Sequence, residues 1–490
     1  MKVTFVATLC LVSLLGACSF APTYNRPEMD IPAEWRSIDT GTAPLSTTWW
    51  ERFQDPVLNA MITEALTNNQ DLAEALAKVA SAQAQLGVAT TALLPTITGT
   101  ADALSKSVSA KAPNAPTYSH SPTSPNRSFT QYDASIGASW ELDLWGKYRN
   151  QYTALSDFLL STSVGYEGTK LMVSAQTAQG YFTLRALDMQ LETARRTLKT
   201  REEALLIYEV RYTRGDITEL NYLQAKNEVE VARAQVHTTI TGLDQAEASL
   251  AVLMGRSPRD IMNKAVERGT SVAATPVLPV LPEGLPSQLF TRRPDVRSAE
   301  YMLMAYNANI GAVRAEFFPS ISLTGALGTM SASMGNLFIG GPAGMWNYGA
   351  QATMPLIDFG RTWYRVKDAE AQKQGAIAVY RKTVQTAFKD LRVALTQQRE
   401  ADSIVRSYQL QVDNMTRATQ LARIQYDNGY TDYLTVLDSE RQLFTAEMQL
   451  ATALRDRLNA VVAVCMALGG GWEDVQPVVE QPKNEKNLAE

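Results

Sequence analysis

The sequence predicts a mixed α and β chain, internally duplicated, in which each half joins a pair of membrane-type β-strands to long antiparallel helices. Three observations predict it. The first is a constant offset: Tyr212 and Gly215 recur as Tyr426 and Gly429, Gly146-Lys147 as Gly360-Arg361, and Met254-Gly255 as Leu468-Gly469, each pair 214 residues apart. Upstream the offset becomes 224, with Leu94-Pro95-Thr96-Ile97 answered by Phe318-Pro319-Ser320-Ile321 and Asp71 by Asp295. An offset broken by one loop-length change marks a tandem duplication. The second is strict period-two patterning at matching places in the two halves. The third is a pair of long proline-free stretches with sevenfold apolar spacing.

Taken in order, Lys2 precedes an apolar run, Val3 to Leu15, too short to span a bilayer, and Leu15-Gly16-Ala17-Cys18 forms a lipobox. Residues 1–17 read as a lipoprotein signal peptide. Cleavage before Cys18 would leave its thiol for diacylglycerol and its amino group for an acyl chain, and Ser19 favours sorting to the outer membrane. The alternative is an ordinary signal peptide with a chance cysteine. Cys10 leaves with the signal, so Cys465 is the only other cysteine of the mature chain and a disulfide framework is excluded. Residues 18–54 read as a lipidated extended segment, 55–270 as the first repeat, 271–293 as a linker, 294–470 as the second repeat and 471–490 as a tail.

In the first repeat the strands are expected at about 96–108 and 129–144, and in the second at about 320–332 and 346–357. From Thr130 to Leu144, Tyr132, Ala134, Ile136, Ala138, Trp140 and Leu142 alternate with Gln131, Asp133, Ser135, Gly137, Ser139 and Glu141. Trp346, Tyr348, Ala350, Ala352, Met354 and Leu356 keep the same phase against Asn347, Gly349, Gln351, Thr353 and Pro355. The preceding strands alternate more weakly, through Ile97, Gly99 and Ala101 and through Ile321, Leu323 and Gly325. Such patterning over ten or more residues, with aromatics at the ends, fits a tilted strand with lipid on one side and water on the other. A soluble sandwich face stays open on the strands alone. The loops between paired strands, Pro113–Asn126 and Ser331–Ala343, are expected to face the cell exterior.

Between Lys147 and Tyr212 no proline occurs, and Leu184, Leu191, Leu198 and Leu205 stand seven apart. A helix over most of that stretch is on the order of 95 Å long. Ile217 to Met254 carries Val229, Val236, Leu243 and Leu250 at the same interval, echoed by Leu443, Leu450 and Val464 with Arg457 interrupting. Sustained heptads read as coiled-coil packing. Each pair turns over at TRGDIT or DNGYTD, whose glycine can end the first helix in a left-handed conformation. Arg292, Arg293 and Arg297 around Pro294 and Asp295 read as a helix start with salt-bridged arginines rather than an anion site.

The chain has 490 residues, 2 His, a net charge of −5 and 19% charged residues, so no basic face for nucleic acid is suggested. His120 and His237 have no Cys or His at metal-ligand spacing, and the clusters Gly340–Gly344 and Gly469–Gly471 lack a phosphate-cradle context. No enzyme, cofactor or metal site is expected. After the signal no run of about 18 apolar residues occurs, so any membrane crossing is β. A sheet edge cannot lie in lipid, and four strands cannot close a membrane barrel whose smallest common size is about eight. The chain must therefore oligomerise to cross.

Cys18 to Pro27, Trp49-Trp50 with Phe53 and Asp55-Pro56, Leu142 to Lys147, Arg292 to Asp295, Tyr433 to Asp438 and Ala467 to Trp472 together resemble the outer membrane factors of the TolC type, closest to the lipoprotein branch that includes OprM. The resemblance covers nearly the whole chain beyond the signal. It implies a homotrimer whose twelve-stranded transmembrane β-barrel, four strands per chain, is continuous with a long antiparallel α-helical barrel in the periplasm. It also implies an efflux duct for drugs or other small toxic solutes that works with a periplasmic membrane fusion adaptor and an inner-membrane transporter of the resistance-nodulation-division class. It carries over Leu434 and Asp438 as the constriction of the periplasmic mouth. Four apart on a helix, both share a face and could form rings in a trimer, and bound cations or protonation would relieve repulsion between converging Asp438 side chains. Thr435 stands where TolC itself is acidic, so a double aspartate ring is not implied. Asp216, Asp427, Tyr430 and Asp432 are candidates for tip or adaptor contacts. A duct for type I protein secretion and an adhesive trimeric coiled coil are the alternatives; the wet strand faces favour a duct.

Overall fold

The structure, a computed structural model, describes residues 19–32, 46–107, 128–277 and 289–470. The signal peptide, Cys18, His120, the loop Pro113–Asn126, part of the linker and the tail lie outside the described residues.

A short 3-10 turn at Trp49–Phe53 leads into α1 (Pro56–Asn68), α2 (Gln70–Thr91), β1 (Thr96–Ser107), β2 (Ser128–Leu142), α3 (Lys147–Thr213), α4 (Glu219–Leu253), α5 (Pro258–Asn263), α6 (Leu289–Arg292), α7 (Pro294–Arg314), β3 (Ser320–Ser331), β4 (Gly344–Thr353), α8 (Arg361–Asp427) and α9 (Tyr433–Ala467). The duplication is carried by whole elements. α3 and α8 are each 67 residues, and α4 and α9 each 35. At 1.5 Å per residue the two long helices run about 100 Å each. Gly215 and Gly429 hold φ of +78° and +75°, and the next N–H, of Asp216 or Tyr430, donates to the carbonyl five residues back, at 2.9 Å in both copies. That is the Schellman closure, which a left-handed glycine permits. Thr218 and Asp432, again 214 apart, then cap the return helices by accepting from the N–H of Asn221 and Thr435.

The described residues fall into two compact units, the first within Met1–Arg26, Ser81–Leu159 and Tyr301–Ala378, the second within Pro27–Ala80, Leu160–Glu300 and Val379–Glu490. The first holds an antiparallel sheet in the order β1-β2-β3-β4. Thr96 pairs with Ser139 in the first hairpin and Ser320 with Thr353 in the second. These registers are identical once the offsets of 224 and 214 are applied. Edges β1 and β4 each lack a neighbour on one side among the described residues.

Two strand ends differ from the sequence expectation. β2 stops at Leu142 because the Asp143 carboxylate accepts the N–H groups of Tyr148 and Arg149 (3.1 and 2.9 Å), which turns the chain into α3. β4 stops at Thr353, short of residue 357, because β3 begins at its partner Ser320 and nothing is available to pair with Met354 onward. In the first repeat the corresponding residues Trp140 to Leu142 are strand only through β3, the pairing with β1 having ended at Ser139.

The N-terminal segment is tied into the same unit. Ser19 Oγ donates to Asn150 Oδ1 (2.8 Å) and Asn307 Nδ2 to the Pro22 carbonyl (2.7 Å). Phe318 lies between Phe20 (centroids 4.5 Å) and Trp145 (5.0 Å), whose Nε1 donates to the Pro319 carbonyl (2.7 Å).

The second unit is built on a buried cluster in which Phe53 meets Phe182 edge-on at 4.8 Å, with Trp49, Leu58, Ile62, Met254, Leu458, Val462 and Cys465 around them. Burial pushes the Cys465 thiol up to about 12, so it is a packing residue. Arg293 folds back onto Asp295 (2.7 Å) and donates to the Ala467 carbonyl (3.2 Å), which ties the α7 start to the end of α9. Asp55, wholly buried, caps α1 through the N–H groups of Val57 and Leu58 and accepts from Tyr181 Oη (2.5 Å) and Thr270 N (2.9 Å). Burial, reinforced by Asp55, pushes the Tyr181 hydroxyl well up.

Asp55→Ala removes one helix cap and takes away the acceptor of the Tyr181 O–H and of the Thr270 N–H, so it should destabilise the fold by about 3 kcal/mol. Tyr181→Phe removes one of these four bonds together with the bond its hydroxyl accepts from the Gly269 N–H (3.1 Å), keeps the helix cap, and should cost about 1–2 kcal/mol. Denaturant midpoints followed by circular dichroism check this, and equal losses from the two changes would contradict it.

Candidate channel wall and gate

The registers sort the sheet into two faces. Ile97 lies opposite Ala138, Ile136 opposite Leu327, and Leu327 opposite Trp346, so one face is continuously apolar across four strands. Ile97, Ile136, Leu327, Trp346 and Tyr348 are 64–81% exposed there. Apolar surface of that extent calls for an apolar surrounding, since each such side chain gains about 1.5–3 kcal/mol on leaving water. The reverse face carries Thr98, Thr100 and Asp102 on β1, Gln131, Asp133 and Ser135 on β2, Ser322 and Thr324 on β3, and Asn347 and Gln351 on β4. Leu104, Met330 and Met345 interrupt it. Thr100 and Ser135 hydroxyls bond across it at 2.8 Å, and Asp102 stands directly opposite Asp133. A strand of 12 residues at about 3.3 Å each, tilted about 45°, spans about 28 Å, the thickness of a bilayer's hydrocarbon.

In the second unit the turns α3–α4 and α8–α9 are brought together by packing. Ile217, Tyr208, Ala225, Ala422, Tyr426, Tyr433, Val436 and Leu437 form one buried cluster. Within it Tyr208 lies 4.4 Å from Tyr433 and 6.3 Å from Tyr426. Burial, and for Tyr208 also Tyr426, pushes the Tyr208 and Tyr433 hydroxyls well up, so they stay neutral. Because Tyr433, Val436 and Leu437 occupy the inner face of α9, Leu434 and Asp438 lie together on the outer one, Leu434 being 55% exposed. Asp438 accepts from Gln442 Nε2 at 2.6 Å. Asp216, Asp427 and Tyr430 are exposed in the two turns, while Asp432 spends its carboxylate on the Thr435 N–H (3.1 Å) and hydroxyl (2.9 Å). Cys18 lies outside the described residues.

One constellation was missed by sequence reasoning. Glu228 of α4 is 2% exposed, and its carboxylate stands 2.9 Å from Arg201 Nη1 of α3 and accepts from Arg441 Nε of α9 at 3.0 Å. Arg201 also donates to the Glu228 carbonyl (3.1 Å). One buried carboxylate thus joins three helices and both repeats. The signal was available: Glu228 interrupts the stripe Ala225, Val229, Ala232 and Val236, where an apolar residue belongs.

The family described as outer membrane efflux protein matches residues 61–256 and 285–470. The chain is 31% identical over 478 residues to the probable outer membrane lipoprotein SilC of Salmonella typhimurium, covering 96% of this chain and 99% of that protein. It is 33% identical over 472 residues to the solvent efflux pump outer membrane protein SrpC of Pseudomonas putida, covering 94% and 96%. Among solved structures, the CmeC outer membrane channel of Campylobacter jejuni superposes with a TM-score of 0.86 at 26% identity over 94% of this chain and 96% of that one.

Glu228→Ala would strand the buried Arg201 and should destabilise the helix junction by about 3–5 kcal/mol. Arg441→Ala, whose side chain is half exposed, should cost about 1 kcal/mol or less. Hydrogen exchange over residues 425–441 reads the difference. Indistinguishable exchange in the two variants would remove Glu228 as the element holding the three helices.

Proposed function

As the chain belongs to the outer membrane efflux protein family, and so serves as the outer membrane channel subunit of an efflux system, we propose that three copies close a twelve-stranded barrel in the outer membrane and that their helices line a gated periplasmic exit duct. The observation that carries the reading is the sheet with one apolar exposed face and one polar face, whose two edges are unpaired among the described residues. Such edges are not tolerated in lipid, and three copies of four strands supply a barrel above the minimum of about eight. The duct is passive, and its cargo is drugs or other small toxic solutes: SrpC is named for solvents. The partners are a periplasmic membrane fusion adaptor and an inner-membrane transporter, of the resistance-nodulation-division class by resemblance. Asp216, Asp427, Tyr430 and Asp432 are assigned to contacts between tips or with the adaptor.

Leu434 and Asp438 are assigned to the gate. Their exposure on one helical face, beside residues that hold that helix in place, supports the assignment, since a ring needs side chains free to converge. Changing Leu434→Ala together with Asp438→Ala should raise single-channel conductance in planar bilayers and make cells leaky to large antibiotics such as vancomycin. Unchanged conductance in an assembled trimer would remove both from the gate. Absence of any channel activity in the wild-type trimer would favour the adhesive alternative.

Lipidation at Cys18 is proposed as a second anchor, in line with the lipoprotein SilC. Acyl chains alone give modest membrane affinity, whereas a closed barrel is effectively permanent. Cys18→Ala, exported through a cleavable signal, should therefore lose its acyl groups yet leave much trimer in the outer membrane. A wholly soluble periplasmic variant would contradict the barrel.

A further inference from the structure

The internal duplication specifies how one copy meets the next. Inside the chain the two repeats meet along β2–β3, where Ser139 pairs with Thr324 and Leu142 with Ile321. β4 is the copy of β2 displaced by 214, and β1 is the copy of β3 displaced by 224, as the matching hairpin registers require. We propose that β4 of one copy pairs antiparallel with β1 of a second copy in the register this mapping dictates, with Thr353 against Thr100 and Ala352 against Ala101, and that Phe359 of the first copy seats over Leu94-Pro95 of the second. The proposal rests on the oligomeric channel reading above and adds the seam's register and its anchoring side chain.

Four features of the single chain support it. Met354 to Leu356, left without a partner after β4, fall opposite Gly99, Thr98 and Ile97 of the second copy, just as Trp140 to Leu142 fall opposite β3. Pro355 contributes a carbonyl but no N–H there. The alternation survives, with Ala352 and Ala350 meeting Ala101 and Ala103 on one face, Tyr348 and Trp346 falling opposite the small Ser105 and Ser107 of that same face, and Gln351 meeting Asp102 on the polar one. Volumes also match: internally Gly328 opposes Ser135, where an added Cβ would stand 2.5 Å from the serine Cβ, whereas at the same place in the proposed seam Leu104 faces Gly349. The bulk lies on one strand and the glycine on the other, exchanged between the two seams.

The fourth feature is the aromatic at the seam's end. Trp145 packs on Phe318 at 5.0 Å and donates to the Pro319 carbonyl. Their copies are Phe359 and Leu94-Pro95, which make no such contact among the described residues: Phe359 is 95% exposed and Leu94 60%. Phe359 is also held at φ +53°, a conformation a phenylalanine rarely adopts. A bare aromatic presented in that way fits a knob for another copy.

Cysteine pairs in the full-length, membrane-inserted protein test the register. Thr100→Cys with Thr353→Cys and Ala101→Cys with Ala352→Cys are consecutive pairs, so one of them is hydrogen-bonded and the other is not. Oxidation with copper phenanthroline should convert at least one of them to disulfide-linked oligomers on denaturing gels. Ala101→Cys with Ala350→Cys, displaced by two residues, should not cross-link, because diagonal neighbours lie about 7–8 Å apart against about 4.5–5.5 Å for direct ones. Preferential cross-linking of the displaced pair, or none from either in-register pair in a protein that runs as a trimer on native gels, overturns the register and leaves the channel reading standing. A wild-type protein that runs only as a monomer overturns the channel reading itself. Phe359→Ala should lower the temperature at which the trimer dissociates in detergent while leaving the circular dichroism of the chain unchanged, and Phe359→Trp should retain it; an unchanged dissociation temperature for Phe359→Ala overturns the knob.

Discussion

A backbone hydrogen bond that cannot be made to water must be made to protein, and the fold of this chain is organised by that requirement. The apolar face of the sheet, with Ile136, Leu327 and Trp346 bare, suits a lipid environment, yet among the described residues β1 and β4 both end the sheet with unpaired edges. In water such an edge is a liability that solvent mitigates; in hydrocarbon each unpaired N–H or C=O costs several kcal/mol. Edges of 12 and 10 residues are therefore compatible with lipid around the apolar face only where a further strand covers them, as the proposed oligomer supplies. The shortness of β4 is the local sign of this dependence. Its last residues have the sequence of a strand and lack only the partner.

The helices answer a different problem. α3 and α8 are each about 100 Å long, and as in most proteins their stability comes mainly from packing an apolar face rather than from propensity. In the single chain Val229, Val236, Leu250 and Leu450 are buried, while Leu206, Leu220, Leu223, Leu410 and Ile424 remain exposed. Apolar rows of that kind, on helices that already bury one stripe, suit neighbours on more than one side. The middles of α3 and α8 enter the main buried cluster through Phe182, Leu184 and Leu391, and the turn ends are fixed by glycine closures at Gly215 and Gly429, caps at Thr218 and Asp432, and the carboxylate of Glu228 between two arginines.

The duplication, the strand pairs, the long helices and the helix start at Pro294 were legible in the sequence because each rests on a local rule: period two, period seven, a capping residue, a proline at the first turn. What was not legible depended on distance in space. The ends of β2 and β4 are set by the Asp143 carboxylate and by the absence of a strand beside Met354, neither of which periodicity encodes. The Asp55 bonds to Tyr181 and Thr270 join residues 126 and 215 positions away. Glu228 could have been noticed as a carboxylate in an apolar stripe, but only the fold supplies Arg201 and Arg441 to neutralise it. Leu434 and Asp438 came from resemblance; the physical reason they are exposed is the burial of Tyr433, Val436 and Leu437 beside them.

Where the two repeats depart from each other is as informative as where they agree. Leu434 answers Leu220, but Asp438 answers Gln224, and the buried Glu228 answers Gln442. Tyr433, at the heart of the tyrosine cluster, answers Glu219. The backbone of the two turns is nevertheless the same, down to the glycine φ and the five-residue closure bond. A duplicated scaffold therefore carries unduplicated charge: one repeat places its carboxylate inside, where arginines hold the helices together, and the other places it outside. In a ring of three copies the proposed gate would then carry three carboxylates rather than six. Alternate hairpins would differ in charge while matching in shape, and asymmetry of that kind lets one hairpin of each pair serve as the fixed wall against which the other is positioned.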